Sequence, residues 1–144
     1  MNPHSLLTKI SPVLPLLLIG WMILALYLTL FPGDMLVTAA RWGDPKLGHI
    51  ILFGGWTFLF GLTMIVFFKR PFFPLYAMLI IGILFGATVE MMQALMPYGR
   101  TGSLADIGYN TIGVSLAGLL LWLYRRLYIE LPKAAKLTKN KSNG

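Results

Sequence analysis

The chain contains no cysteine, only two histidines and only five acidic residues among its 144. The first absence excludes disulfides, thiolate catalysis and cysteine-ligated metal sites. Two histidines argue against a multi-histidine metal centre, and no metal or other cofactor is expected. Neither a nucleophile-bearing motif nor a phosphate-binding loop is present. Charge as a whole is scarce, at 12% of residues, where a soluble domain carries about 25%.

Apolar residues are abundant instead. They make up 57% of the chain, against about 45–50% in soluble domains, and the mean hydropathy is +0.74. The excess is segmental, in long runs with charges at their boundaries, which is the pattern of a membrane protein. The net charge of +7 does not point to nucleic acid, because the cations flank apolar runs or gather at the C-terminus and the aromatics lie inside those runs.

A spanning helix needs about 20 mostly apolar residues to cross a hydrocarbon core about 30 Å thick. Four stretches qualify, at residues 13–31, 47–68, 74–95 and 105–124. The expected fold is all-α, an integral membrane bundle of four transmembrane helices occupying residues 13–126, with an N-terminal segment 1–12 and a basic tail 127–144 that is largely disordered. Ser11-Pro12 and Asp44-Pro45 look like helix starts, Pro32-Gly33 and Pro97 with Gly99 like helix ends, and Lys69-Arg70-Pro71 like a tight turn. Ser103 with Asp106 three residues on resembles a capping box. The first apolar run is longer than the 7–15 residues of a signal-peptide core and ends well before the nearest small-residue site, so it reads as a span.

Orientation follows from the cations. With the N-terminus inside, Lys9, Lys69, Arg70, Arg125, Arg126, Lys133, Lys136, Lys139 and Lys141 are cytoplasmic, while Arg41, Lys46 and Arg100 are outside. Nine against three is a strong positive-inside bias. Both termini are therefore expected in the cytoplasm and the protein in the plasma (inner) membrane. The tail lysines are placed to rest on anionic lipid, at about 1 kcal/mol each near the surface.

The remaining polar groups gather at the outer face. Asp44, Lys46 and His49 open the second span, Glu90 and Gln93 close the third, Arg100 lies in the next loop, and Asp106 and Asn110 open the fourth. Glu90 and Gln93 share a helical face, which Gly82 and Gly86 continue inward as a Gly-x-x-x-Gly step. Asp106, Asn110, Gly113 and Ala117 form a similar stripe on the fourth span. Packing the two stripes together, with Lys46 and His49 alongside, is the economical arrangement. The cytoplasmic half holds nothing comparable beyond its lysine and arginine flanks.

Glu90 carries the most weight. An acid within a span is costly on insertion scales, by about 2.5–3.5 kcal/mol at the centre and less near the interface. It also sits near the end of its helix where the dipole is already negative, and Lys46 is the mirror case. A meeting of Glu90 with Lys46 or Arg100 would resolve both. The cluster of Lys46, His49, Glu90, Gln93, Arg100, Asp106 and Asn110 then reads as a binding site, with Glu90 and His49 as acid–base candidates, or as interhelical glue; for Asp44 and Asp106 helix capping is the alternative reading.

These residues resemble the VanZ-like family of membrane proteins. Lys46 and His49 match its first element, Glu90 and Gln93 the second, Arg100 the loop, and Asp106, Asn110 and Gly113 the last. Pro45 stands between Asp44 and Lys46, so Asp44 is not carried over. The family takes its name from a factor associated with teicoplanin resistance, and the resemblance implies a link to the cell envelope. The functional expectation is a protein that binds or modifies an anionic lipid headgroup or lipid-linked precursor, with membrane lipids as partners. The alternatives are a structural or partner subunit, a homo-oligomer, a membrane enzyme and a transporter subunit.

Overall fold

A computed structural model describes residues 3–30, 45–96 and 102–133. It holds a short helix α1 (Pro3–Lys9) and four long ones, α2 (Leu14–Leu30), α3 (Pro45–Leu62), α4 (Leu75–Leu95) and α5 (Leu104–Arg125). No strand occurs among the described residues. The four long helices, with their extensions, are long and apolar enough to cross a membrane, so the chain has the build of a multi-pass membrane protein. Leu16, Ile23, Ile51, Tyr76 and Leu84 are each at least 59% exposed on its flanks, a distribution that suits lipid and not water.

The hydroxyls obey the same solvent. Those of Thr29, Thr57, Thr63, Thr88, Thr111 and Ser115 donate to the carbonyl four residues back at 2.6–2.8 Å. Each is satisfied within its own helix, as a hydroxyl without water must be.

The helix ends depart from expectation in instructive ways. Ser11 does not cap α2; Ser11–Val13 form a 3-10 turn with no side-chain cap. α3 starts at Pro45, a position where the missing N–H costs nothing, and it runs on through a π turn at Thr63–Phe67. That end is closed by Arg70 N–H donating to Met64 O at 3.0 Å, with Lys69 held at φ 54°. α5 continues through a second π turn, Arg126–Glu130, and stays helical to Lys133. The basic tail was expected from residue 127. Tyr128 and Ile129 instead pack on the apolar cluster of Leu14, Leu62, Ile65, Val66, Met78, Leu121 and Tyr124, and Arg125 pairs with Glu130 at 3.2 Å.

Lipid offers no hydrophobic incentive for helices to associate, so close packing has to supply it. The most extensive pairing is between α3 and α5, which run parallel. A Cβ on Gly54 would lie 2.8 Å from the Gly113 carbonyl oxygen, and one on Gly113 would strike the Ile50 backbone. Two bare backbones therefore meet here, at a separation no larger residue permits. Gly113 thus faces α3 and not α4, where its stripe was expected to pack. Gly82 and Gly86 on α4 do receive side chains, Thr57 with Val114 and Asn110 respectively. Ala117 is buried on α5. Level with this crossing Phe53, Val89 and Val114 close the bundle interior with apolar groups.

Candidate functional site

The helix ends determine what meets at one end of the bundle. α3 and α5 begin there and α2 and α4 finish there, so first-turn and last-turn polar residues converge. α3 brings Lys46 and His49, α4 brings Glu90 and Gln93, and α5 brings Asp106 and Asn110. Gly86 lies one turn before Glu90, and a Cβ there would sit 3.1 Å from Asn110 Cβ and Nδ2. Its small size is what lets Asn110 reach Glu90.

Glu90 is 2% exposed and Asn110 1%. Glu90 Oε1 lies 3.4 Å from His49 Nδ1 and accepts from Asn110 Nδ2 at 3.4 Å. Its Oε2 accepts from the Ser103 N–H at 3.3 Å. His49 Nδ1 is 3.0 Å from Asn110 Oδ1, and the ring of Phe53, one turn along α3, stacks on the imidazole at 6.1 Å and 11°. Three helices thus fix a carboxylate, an imidazole and an amide in mutual contact.

The expected partner of Glu90 was Lys46 or Arg100. Among the described residues the basic group in ion-pair range is His49. Lys46, one turn nearer the helix start, is exposed and holds its ammonium 5.8 Å from the centre of the Tyr109 ring. Arg100 and Asp44 lie outside the described residues. Gln93 faces away from the triad: its Nε2 donates to Thr29 O at 2.6 Å, satisfying one of the carbonyls that the end of α2 leaves without an intrahelical donor.

Ser103 caps α5 by accepting from the Ala105 N–H at 3.1 Å. The reciprocal half of a capping box is replaced, because the Ser103 N–H goes to Glu90 and not to Asp106. Asp106 is half-buried, and ligand-type atoms of His49, Glu90 and Asp106 all lie within 4.8 Å of one another. The spacing of Ser103 and Asp106 gave no hint of this substitution, because it comes from a different helix.

The opposite end is richer than its sequence suggested. His4 Nδ1 and the Tyr124 hydroxyl are 2.6 Å apart, and a cavity of about 530 Å³ is lined by His4, Thr8, Lys69, Tyr128 and Lys133 among apolar neighbours. His4 and Lys133 stand at opposite ends of the sequence, so no local spacing could reveal it.

Comparison of the chain with family models, curated proteins and solved structures finds no match. The functional reading therefore rests on the site itself and on the order of its motif residues.

Proposed function

We propose that this is a plasma-membrane protein with both termini in the cytoplasm, which uses the polar end of its bundle to bind or modify an anionic component of the cell envelope. The ligand class is a lipid headgroup or a lipid-linked precursor. The observation that carries the reading is Glu90, an acid 2% exposed within a membrane-spanning helix and held by groups from two other helices. Ionisable groups in such positions are costly and mark working sites by default.

Three features favour an anion at this end. α3 and α5 both direct their N-termini there, with the partial positive charge those ends carry. Lys46 stands exposed at the rim, and Arg100 follows α4 in sequence. The nine-to-three distribution of cations turns this end outward. The residues Lys46, His49, Glu90, Gln93, Arg100, Asp106, Asn110 and Gly113 keep the order seen in the VanZ-like family, which extends the proposal to the response to glycopeptide antibiotics.

Binding is favoured over catalysis because the groups within reach of the His49 ring among the described residues are Asn110 and Glu90, with no hydroxyl nucleophile beside them. Transport is disfavoured by the apolar seal of Phe53, Val89 and Val114 beneath the cluster. One observation favours a second reading, in which the cluster is glue in a partner subunit: Glu90, Gln93 and Asn110 are all buried and mutually or helix-paired.

Nanodiscs of mixed neutral and anionic lipid test the proposal. The purified protein should enrich anionic lipid, and Lys46→Ala and Arg100→Ala should each weaken that enrichment. An indifferent protein, with both variants silent in cells, leaves the structural reading.

A further inference from the structure

We propose that His49, Glu90 and Asp106 form a site for one divalent transition-metal ion. The inference concerns the same end of the bundle as the proposed function and rests on that end being a working site, but its support is ligand geometry and not the identity of any anion.

The donors come from α3, α4 and α5, and their ligand-type atoms lie within 4.8 Å of one another. First-row ions bind imidazole nitrogen and carboxylate oxygen at about 2.0–2.2 Å, which sets neighbouring donors in a tetrahedron about 3.3–3.5 Å apart. The separation of His49 Nδ1 and Glu90 Oε1 is 3.4 Å. One edge of such a polyhedron is therefore already in place.

Two further observations point the same way. Glu90 is almost fully buried, yet its contacts, at 3.3, 3.4 and 3.4 Å, all exceed the usual 2.7–3.2 Å of an N–H···O bond. A buried carboxylate normally draws short, charge-assisted donors, and among the described residues this one has only the longer hydrogen bonds from the Ser103 N–H and Asn110 Nδ2. Asp106 has no side-chain hydrogen-bond partner among the described residues, because the N–H that a capping box would give it goes to Glu90. With both carboxylates ionised, the three side chains carry one or two negative charges whichever form the imidazole takes. A dication compensates them, and it turns an acid-lined site into one that attracts phosphate oxygen.

The donor set selects the ion class. One nitrogen with two carboxylates suits first-row transition ions, whereas Ca²⁺ and Mg²⁺ prefer all-oxygen shells. Two histidines had argued against a multi-histidine centre; a single imidazole with two carboxylates is a different arrangement. Asn110 donates to Glu90 Oε1 at 3.4 Å and so orients that carboxylate, as outer-shell partners do; a metal at His49 Nδ1 would replace that nitrogen's present contact with Asn110 Oδ1 at 3.0 Å.

The test uses the full-length, tag-free protein in neutral-lipid nanodiscs, stripped with chelator and titrated with ZnCl₂, with bound zinc measured by equilibrium dialysis. We expect one Zn²⁺ per chain. His49→Ala and Asp106→Asn should each weaken binding by more than about 100-fold, beyond the 10–100-fold typical of outer-shell partners, and Asn110→Ala should fall within that range. Glu130→Gln, at the opposite end, should bind as the unaltered protein does. Asp106 is only half-buried at a helix start, so its isosteric variant keeps the test open if His49→Ala fails to fold. Absent binding, binding untouched by Asp106→Asn, or displacement by equimolar Mg²⁺ overturns the proposal. Zinc bound without any anionic-lipid preference retains the metal site and removes the proposed ligand. Lipid preference without zinc binding does the reverse.

Discussion

The imidazole of His49 lies 3.4 Å from the carboxylate of Glu90, although 40 intervening residues and a change of helix separate them. His49 alone is unremarkable near its helix start, whereas Glu90 stands near the end of its helix, where the dipole is already negative. Together with Asn110, which touches both, they convert the ends of three helices into one chemical unit. The same contact replaces the lysine–glutamate pairing that the charges suggested. The lysine lies a turn closer to the helix start, where it reaches the Tyr109 ring instead.

Glu90 can be altered in two ways that separate chemistry from packing. Glu90→Gln keeps the side-chain shape and one acceptor oxygen, so one of the Ser103 and Asn110 donors stays paired, and thermal stability in detergent and abundance in the membrane should fall less than in Glu90→Ala. Anionic-lipid enrichment should be lost. Glu90→Ala orphans both donors, at about 1–3 kcal/mol for each buried group left unsatisfied, and should lower stability and abundance together. Equal behaviour of the two variants would assign Glu90 a structural role.

The α3–α5 crossing predicts a contrast between glycines. Gly113→Ala places a methyl against the Ile50 backbone, which cannot yield without moving α3, and overpacking of this kind costs about 1–3 kcal/mol. Gly108, on the same helix, has nothing within 4 Å. Gly108→Ala should therefore stabilise, by up to about 1 kcal/mol. Thermal unfolding of the two variants in one detergent decides it.

Lys69 occupies the left-handed region at φ 54°, at the end of the α3 extension where glycine is the usual residue. Lys69→Gly removes the Cβ penalty of about 1–2 kcal/mol and should raise the melting temperature. Lys69→Val should lower it.

The absence of cysteine makes orientation simple to measure. Single cysteines at Lys9 and Gly144 should resist a membrane-impermeant maleimide in intact cells and react after lysis. One at Lys46 should react before lysis. The opposite pattern would invert the bundle and place the Glu90 cluster in the cytoplasm.

Much of the architecture was legible in the chain because membrane insertion is a local property. A run of apolar residues of sufficient length can be read without knowing its neighbours, and α4 at Leu75–Leu95 coincides with the expected 74–95 almost to the residue. The convergence of Glu90, His49 and Asn110 on one end was legible too, because alternating helices bring alternate ends together. The extension of α5 to Lys133 was not, since it depends on Tyr128 and Ile129 finding the α3 extension. The exchange at Ser103 was hidden for the same reason: a capping box is a rule about one helix, and the competing acceptor belonged to another.

The sequence by itself determined that four helices are long and apolar enough to span a membrane, and which of their ends are polar. Hydrophobic length and helical period act within a segment, and they survive any arrangement of the segments. Only the tertiary structure decided that Glu90 meets His49, that Gly113 serves α3, and that the Asp106 side chain stands beside the cluster with no hydrogen-bond partner among the described residues. Those outcomes turn on a few ångströms between helices, and that distance is set where glycine lets two backbones touch.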